Sequence, residues 1–274
     1  MPSPITLGVV PSFSPDKARD ALDDLTQHLT EAIGTPVTGL QAPSYGALVS
    51  ELERDRVQFA WMPPALLVIA EERLELRPLV SAVRGDRTAY RSVLFVDDRA
   101  RFQSIEELRG QTVAWVDPTS AAGYLYPRLH LLSRGIDPAT HFGNELFARS
   151  HHEVVRAVFD GRAQVGATFA ERPPFGAPIR RAGFLEVDAA RSVRVLEWSG
   201  LIPNDLIVAH GLLPVRQQQS FAQALLQLGA SPLGKSLLRA VFQADKLMLA
   251  SNKDLRPLRQ LVAVAREQGL LTQL

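Results

Sequence analysis

The sequence contains no cysteine. That excludes disulfides, thiolate metal sites and cysteine nucleophiles, and it chooses no compartment. Charge of one sign is missing too: 30 Lys and Arg stand against 29 Asp and Glu, a formal net charge of +1. No global field therefore favours nucleic acid or an anionic membrane as partner. Lysine is scarce, confined to Lys17, Lys235, Lys246 and Lys253, so the basic side is mostly arginine. Long hydrophobic runs are lacking as well. The longest, Ala65 to Ala70, reads as a core-helix segment far too short to span a bilayer, so direct membrane insertion is not expected.

Several chemical signatures are also missing. There is no Gly-x-Ser-x-Gly elbow and no phosphate-binding Gly-x-x-x-x-Gly-Lys loop. His28, His130, His141 and His210 are scattered without ligand spacing, so no metal site and no cofactor is expected. The first residues, Met1 to Val10, show neither a basic n-region nor an apolar stretch of secretory length. The expected location is periplasmic or lipid-anchored if a leader was trimmed, and cytoplasmic if Met1 is the native start.

What is present is an ordinary globular composition, 46% hydrophobic over 274 residues, enough for one large domain or two lobes. Strand-like and helix-like segments alternate. Ile5 to Val10 is a short apolar run. Ser14 is placed to cap the helix that follows, whose Leu22, Leu25, Leu29 and Ile33 share one face. Val37 to Leu40, Ser44 to Arg54, Val57 to Trp61 and Pro64 to Arg73 continue the strand–helix theme, which predicts mainly parallel sheets covered by helices. From Pro214 onward the chain reads as helical. Polar breaks near Arg84–Thr88 and Ser199–Asn204 predict an A-B-A organisation. Residues 1–86 and 200–274 form one lobe, and residues 87–199 are inserted as a second. Two crossings imply a hinge, and hinged α/β lobes commonly hold a ligand between them.

The stretch Trp115-Val116-Asp117-Pro118-Thr119-Ser120-Ala121-Ala122-Gly123-Tyr124 ends a buried strand and opens a helix with small residues. First-turn amides and the positive end of the helix dipole suit an oxyanion there. One reading is an anion cradle at Thr119, Ser120 and the amides of Ala121, Ala122 and Gly123; the other is simple N-capping, and both stay open on this stretch alone. His151 and His152 open another helix and point to different faces, which favours one anion-facing His over a metal pair. Tyr45 and Tyr90 stand where a cleft would lie, whereas Tyr124 and Tyr126 read as packing residues. Glu171 follows a strand, where an acid either meets a ligand amine or is a plain loop charge. Asp23-Asp24 and Asp97-Asp98 read as solvated surface pairs.

Taken together, these motifs resemble the phosphate/phosphite/phosphonate ABC-transporter substrate-binding proteins, a group with the type 2 periplasmic binding protein fold. The resemblance is carried by Tyr45-Gly46-Ala47-Leu48 through Trp61-Met62-Pro63-Pro64, by Tyr90 to Val96, and by Ser104-Ile105-Glu106-Glu107-Leu108-Arg109-Gly110. Asp117 to Tyr124 and His151 to Gly161 complete it. It implies a two-lobed α/β fold. It also implies non-catalytic binding of a phosphonate- or phosphate-like anion, with an ABC permease or a signalling protein as partner. Ser120 and the amides of Ala121 to Gly123 would hold the oxyanion, His151 would donate to it, Tyr45 and Tyr90 would line it, and Glu171 would face a ligand amino group. The sequence departs from the family pattern in replacing Ser-Thr-Ser by Ser120-Ala121-Ala122. It also carries Gln58 and Gln164 where the family has an acid, Pro63-Pro64 in place of Gly-Pro, and Leu67 in place of an aromatic. These changes bear on ligand identity rather than on fold. Two rivals share the fold: a cytoplasmic ligand sensor, and a cytoplasmic dehydratase-like lyase, for which no arranged acid–base pair is evident.

Overall fold

The computed structural model describes residues 4–10, 15–118, 120–175, 177–188, 190–267 and 269. Ser14 and Thr119, read above as a helix cap and an anion ligand, lie outside the described residues. The chain forms two compact units, one from residues 1–88 and 203–259, the other from residues 89–202 with residues 260–267, which were expected in the first lobe.

In chain order, the first unit begins with β1 (Ile5–Val9), α1 (Pro15–Ile33), β2 (Val37–Gln41), α2 (Tyr45–Glu53), β3 (Phe59–Met62), α3 (Pro64–Ala70) and β4 (Leu76–Val83). The second holds β5 (Ala89–Asp97), a 3-10 turn at Glu106–Leu108, β6 (Thr112–Trp115) and a π-helical turn at Ala121–Leu125. There follow α4 (Tyr126–Ser133), α5 (Pro138–His141), β7 (Asn144–Phe147), α6 (His151–Phe159), β8 (Val165–Ala170) and β9 (Val193–Pro203). The chain then returns to the first unit with β10 (Leu206–His210), α7 (Val215–Leu228), α8 (Pro232–Phe242) and β11 (Lys246–Leu249); α9 (Asn252–Glu267) ends the described helices.

Among the described residues, the first unit has a sheet of order β11-β4-β10-β3-β1-β2 and the second one of order β7-β6-β8-β5-β9. The α/β class is as expected, but the sheets are mixed rather than mainly parallel. β1 pairs in parallel with β2 and β3, whereas β10 runs antiparallel to both β3 and β4, and β11 antiparallel to β4. The reason is topological. A chain that leaves the sheet at the end of β4 and re-enters beside it at that same end, Leu206 opposite Ser81, runs the opposite way. In the second unit β6 is parallel to β7 and β8, and β5 is antiparallel to β8. The strand β11 is also unexpected. It is a short edge strand with Met248 and Leu249 exposed, so it carries no burial period to read.

Side-chain alternation in β3 feeds two cores. Phe59 and Trp61 face α1, α7 and α8, with Phe59 stacked on Phe221 at 3.8 Å between ring centroids; Ala60 and Met62 face Leu48, Leu52, Leu66 and Leu67. Such two-sided burial is why the strands read as continuous apolar runs.

The same polar device recurs in each unit. Gln58 donates its backbone N–H to the Thr6 carbonyl and accepts the Thr6 N–H on Oε1 at 2.9 Å. Gln164 makes the same two bonds to Thr112, the side-chain one at 3.1 Å. Each amide also donates to a nearby carbonyl, Asp55 or Gly161, which a carboxylate would not do.

Where the first unit's chain exits and returns, buried Asn204 holds both segments. Its Nδ2 donates to the Ala82 carbonyl at 3.0 Å and the Arg87 carbonyl at 2.9 Å, and its N–H donates to Thr88. Next to it, Arg84 pairs with Asp205 at 2.7 Å and donates to the carbonyls of Phe242 and Gln243. At the end of β5, Asp97 is not the solvated charge expected. Its side chain is only 15% exposed and is gripped by Arg99 at 2.8 Å and Arg191 at 2.6 Å, which hold its carboxyl below the ordinary range.

Two outcomes follow from these contacts. Asn204→Ala removes both side-chain bonds, although the Arg87 carbonyl keeps the Arg84 N–H, and should cost about 1–2 kcal/mol in urea denaturation; a cost below about 0.5 kcal/mol would contradict the role. Asp97→Asn should cost about 1–2 kcal/mol at pH 7. Because the folded state takes up the Asp97 proton at lower pH than the unfolded chain, this stability is complete above about pH 5. It is lost as the pH falls below the ordinary Asp value near 3.9. The gap between wild type and Asp97→Asn should therefore narrow in acid; a gap that widens would refute the assignment.

Candidate anion-binding site

The C-terminal ends of β6, β7 and β8 and the N-terminal end of β5 share one edge of the second unit's sheet, because the first three are parallel and β5 runs against β8. The start of β5, the loops leaving that edge and the first turn of α6 bring Tyr90, Ser120 to Gly123, Glu171 and His151 to one end of a single unit's sheet. Tyr45 belongs to the first unit, where it opens α2 behind its cap Ser44 and packs against the core of Leu48 and Leu52.

The Ser120 loop is held in a π-helical form. Leu125 N–H donates to the Ser120 carbonyl and Tyr126 N–H to the Ala121 carbonyl, each spanning five residues. Ser120 caps the turn, its Oγ accepting the Gly123 N–H at 3.0 Å. Val116 secures the loop from below by donating its N–H to the Gly123 carbonyl at 3.1 Å. Ser92 of β5, fully buried, donates Oγ–H to the Ala122 carbonyl at 2.6 Å. The amides of Ala121 and Ala122 open the turn, at the end where a helix presents its N–H groups. Gly123 is required by space: a Cβ there would stand 2.2 Å from Val116 Cγ2 and 2.5 Å from its Cβ.

Tyr124 and Tyr126 are packing residues, as expected, though buried rather than reaching the surface, and burial pushes both phenols up. Tyr124 meets Trp115 edge to face at 5.9 Å. Buried Arg128 lies 4.9 Å from the Tyr124 ring and 5.7 Å from the Trp115 ring and is ion-paired with Glu145. A cation thus lies behind the loop.

Ser150 caps α6, accepting the Glu153 N–H at 3.1 Å, which starts the helix at His151. His151 Nδ1 is 3.0 Å from the Thr168 hydroxyl, and the ring meets Phe169 edge to face at 5.2 Å. Tyr90 meets the same Phe169 ring at 6.4 Å. His152 is exposed. The Glu171 carboxylate, expected as a loop charge or an amine receptor, is ion-paired with Arg181 at 3.1 Å. No group of three or more His, Asp or Glu among the described residues is placed to hold a metal ion.

Sequence reasoning missed Ser92, Arg128, Thr168, Phe169 and Arg181. Thr168 and Phe169 stood in a recognised strand next to the expected His151, but their link to that residue depends on long-range pairing.

This geometry has known counterparts. The family model described as "ABC transporter, phosphonate, periplasmic substrate-binding protein" matches residues 7–255. The phosphate-import protein PhnD of Mycolicibacterium smegmatis is 26% identical over 181 residues, 61% of this chain and 56% of that protein, so the chain covers little more than half of this relative's length. The phosphonates-binding periplasmic protein of Escherichia coli is 21% identical over 271 residues, 97% of this chain and 78% of that one. The structure of PhnD1 from Prochlorococcus marinus in complex with methylphosphonate superposes with a TM-score of 0.76 at 16% identity, covering 98% of this chain and 99% of that one. That likeness shows the fold, that of the type 2 periplasmic binding proteins.

Gly123→Ala should force Val116 and the π-helical turn apart and cost about 1–3 kcal/mol. Thermal denaturation checks this, and a melting temperature equal to wild type would show that the loop does not depend on this contact.

Proposed function

The chain belongs to the family of periplasmic substrate-binding proteins of phosphonate ABC transporters, and from that premise we propose that it binds a small phosphorus oxyanion without catalysis and delivers it to a permease from the periplasm, free or lipid-anchored. The observation that carries this reading is the convergence, at one sheet edge, of a capped π-helical turn with an imidazole positioned by a buried hydroxyl.

Each residue's part follows from its chemistry. The amides of Ala121 and Ala122 donate to the oxyanion, with the helix dipole behind them. The Ala121 and Ala122 methyls are buried, so main-chain groups replace the two hydroxyls found in the family pattern. Thr168 engages His151 Nδ1; with the hydroxyl as donor in that bond, the imidazole proton sits on Nε2, the donor to the ligand. Ser120 keeps the loop in shape, and Tyr90 adds a phenol from β5. The Thr168 hydroxyl is fully buried, which suits orienting the ring rather than attacking a substrate, so a binding role accounts for this pair better than a lyase does. The names of the M. smegmatis and E. coli relatives, and the methylphosphonate bound to the P. marinus protein, support a phosphorus oxyanion as ligand. With a net charge of +1, the selectivity must come from these local donors.

Isothermal titration with methylphosphonate, phosphate, sulfate and acetate tests the reading. A phosphorus oxyanion should bind best, and His151→Ala should weaken it at least about tenfold, as expected for a lost hydrogen bond to a charged group. No binding of either phosphorus oxyanion at millimolar concentration would refute the ligand class; unchanged affinity in His151→Ala would refute the site.

A further inference from the structure

We infer that Arg181 sets the tail preference of this site by occupying Glu171, so that phosphorus oxyanions with a small uncharged tail bind in preference to those carrying an amino group. The inference rests on the anion-binding reading above.

Residues 181–183 run as a short antiparallel segment against the end of β8. Gly183 N–H donates to the Phe169 carbonyl at 3.0 Å, Glu171 N–H donates to the Arg181 carbonyl at 2.9 Å, and Ala170 bridges Ala182. The approach is close: a Cβ on Gly183 would stand 2.1 Å from Thr168 Oγ1. Glu171 and Arg181 are thus a cross-strand pair fixed by main-chain bonds, not two flexible loop charges that happen to meet. Their side chains are 17% and 31% exposed.

The alternation of an extended chain puts Phe169 and Glu171 on the same face. The Phe169 ring is where the polar groups gather. His151 and Tyr90 each meet it edge to face, and the Arg181 guanidinium lies 5.8 Å from its centroid. Arg181 therefore borders the same ring as the two side chains proposed to contact the anion. A ligand amine arriving there would meet a carboxylate already neutralised and a guanidinium of its own sign. An alkyl tail would meet the aromatic face, and an inorganic oxyanion would have no tail to place.

The test is calorimetric titration of methylphosphonate and 2-aminoethylphosphonate, comparing the ratio of their dissociation constants across variants. Wild type should favour methylphosphonate. Arg181→Met should shift the ratio about tenfold toward the amino ligand, the scale of one partly exposed charge pair gained. Adding Glu171→Gln to that variant should return the ratio toward wild type. Arg181→Lys, which keeps the charge, should stay near the wild-type ratio and serves if Arg181→Met does not fold. Methylphosphonate binding with an unshifted ratio in Arg181→Met overturns this inference alone, as does a wild type that prefers the amino ligand. Where only Arg181→Lys folds, a ratio moved as far as expected for Arg181→Met overturns it too. Failure of the wild type to bind either ligand overturns it together with the reading beneath it.

Discussion

The main chain of Val116 holds the candidate site together. Its N–H donates to the Gly123 carbonyl and its carbonyl accepts the Arg149 N–H at 2.8 Å, while its side chain fills the space that Gly123 leaves. One residue just past the end of β6 thus fixes both the π-helical turn of the candidate site and the turn that starts α6 at His151. The remaining contacts reinforce this tie. Ser92 grips the loop from β5, Arg128 backs it through Tyr124 and Trp115, and Thr168 orients the imidazole from β8. The bonds that hold the loop run through main-chain groups and the hydroxyls of Ser120 and Ser92, so its form needs no hydroxyl at Ala121 or Ala122.

Electrostatics in this chain is local. With 30 basic and 29 acidic residues there is no field to draw an anion from a distance. Charged groups are instead matched within a few ångströms: Arg84 with Asp205, Arg128 with Glu145, Arg181 with Glu171, and Asp97 with two arginines. What distinguishes the candidate edge is dipoles rather than net charge, the amides opening a helix beside an imidazole held by a buried hydroxyl. Such groups discriminate by geometry and are less sensitive to salt than a surface charge would be.

Much of the fold was legible in the residues. Leu22, Leu25 and Leu29 lie buried on one face of α1, Leu48 and Leu52 on one face of α2, and Ser44 and Ser150 cap the helices they precede. The order of strands and helices followed from such local patterns, because a 3.6-residue or 2-residue period is imposed by a single nearby core surface. The edge strand β11 escaped because its partner lies on one side only and two of its three apolar residues, Met248 and Leu249, are exposed. The π-helical form of Ala121–Leu125 escaped for a different reason. Ala-Ala-Gly-Tyr is equally compatible with an ordinary helix start, and the extra residue per turn is enforced by Val116 and Ser92. Gln58 and Gln164 read as departures from an acidic pattern. The structure reveals them as matched acceptors for Thr6 and Thr112, a symmetry visible only when both units are folded.

The sequence by itself determined the element order, the absence of thiol chemistry and of a global anion-attracting field, and the family motifs that converge on an oxyanion. The element order and each motif depend on residues within a turn or two of one another, and the two absences on composition alone. Only the tertiary structure decided which strands run antiparallel, that Asp97 is a gripped rather than solvated charge, and that Glu171 already has a partner. Those outcomes hang on residues far apart in the chain, such as Asp97 and Arg191 or Ala82 and Asn204. No local period encodes which distant group will share a buried space, because that choice is made by the packing of whole strands and helices against one another.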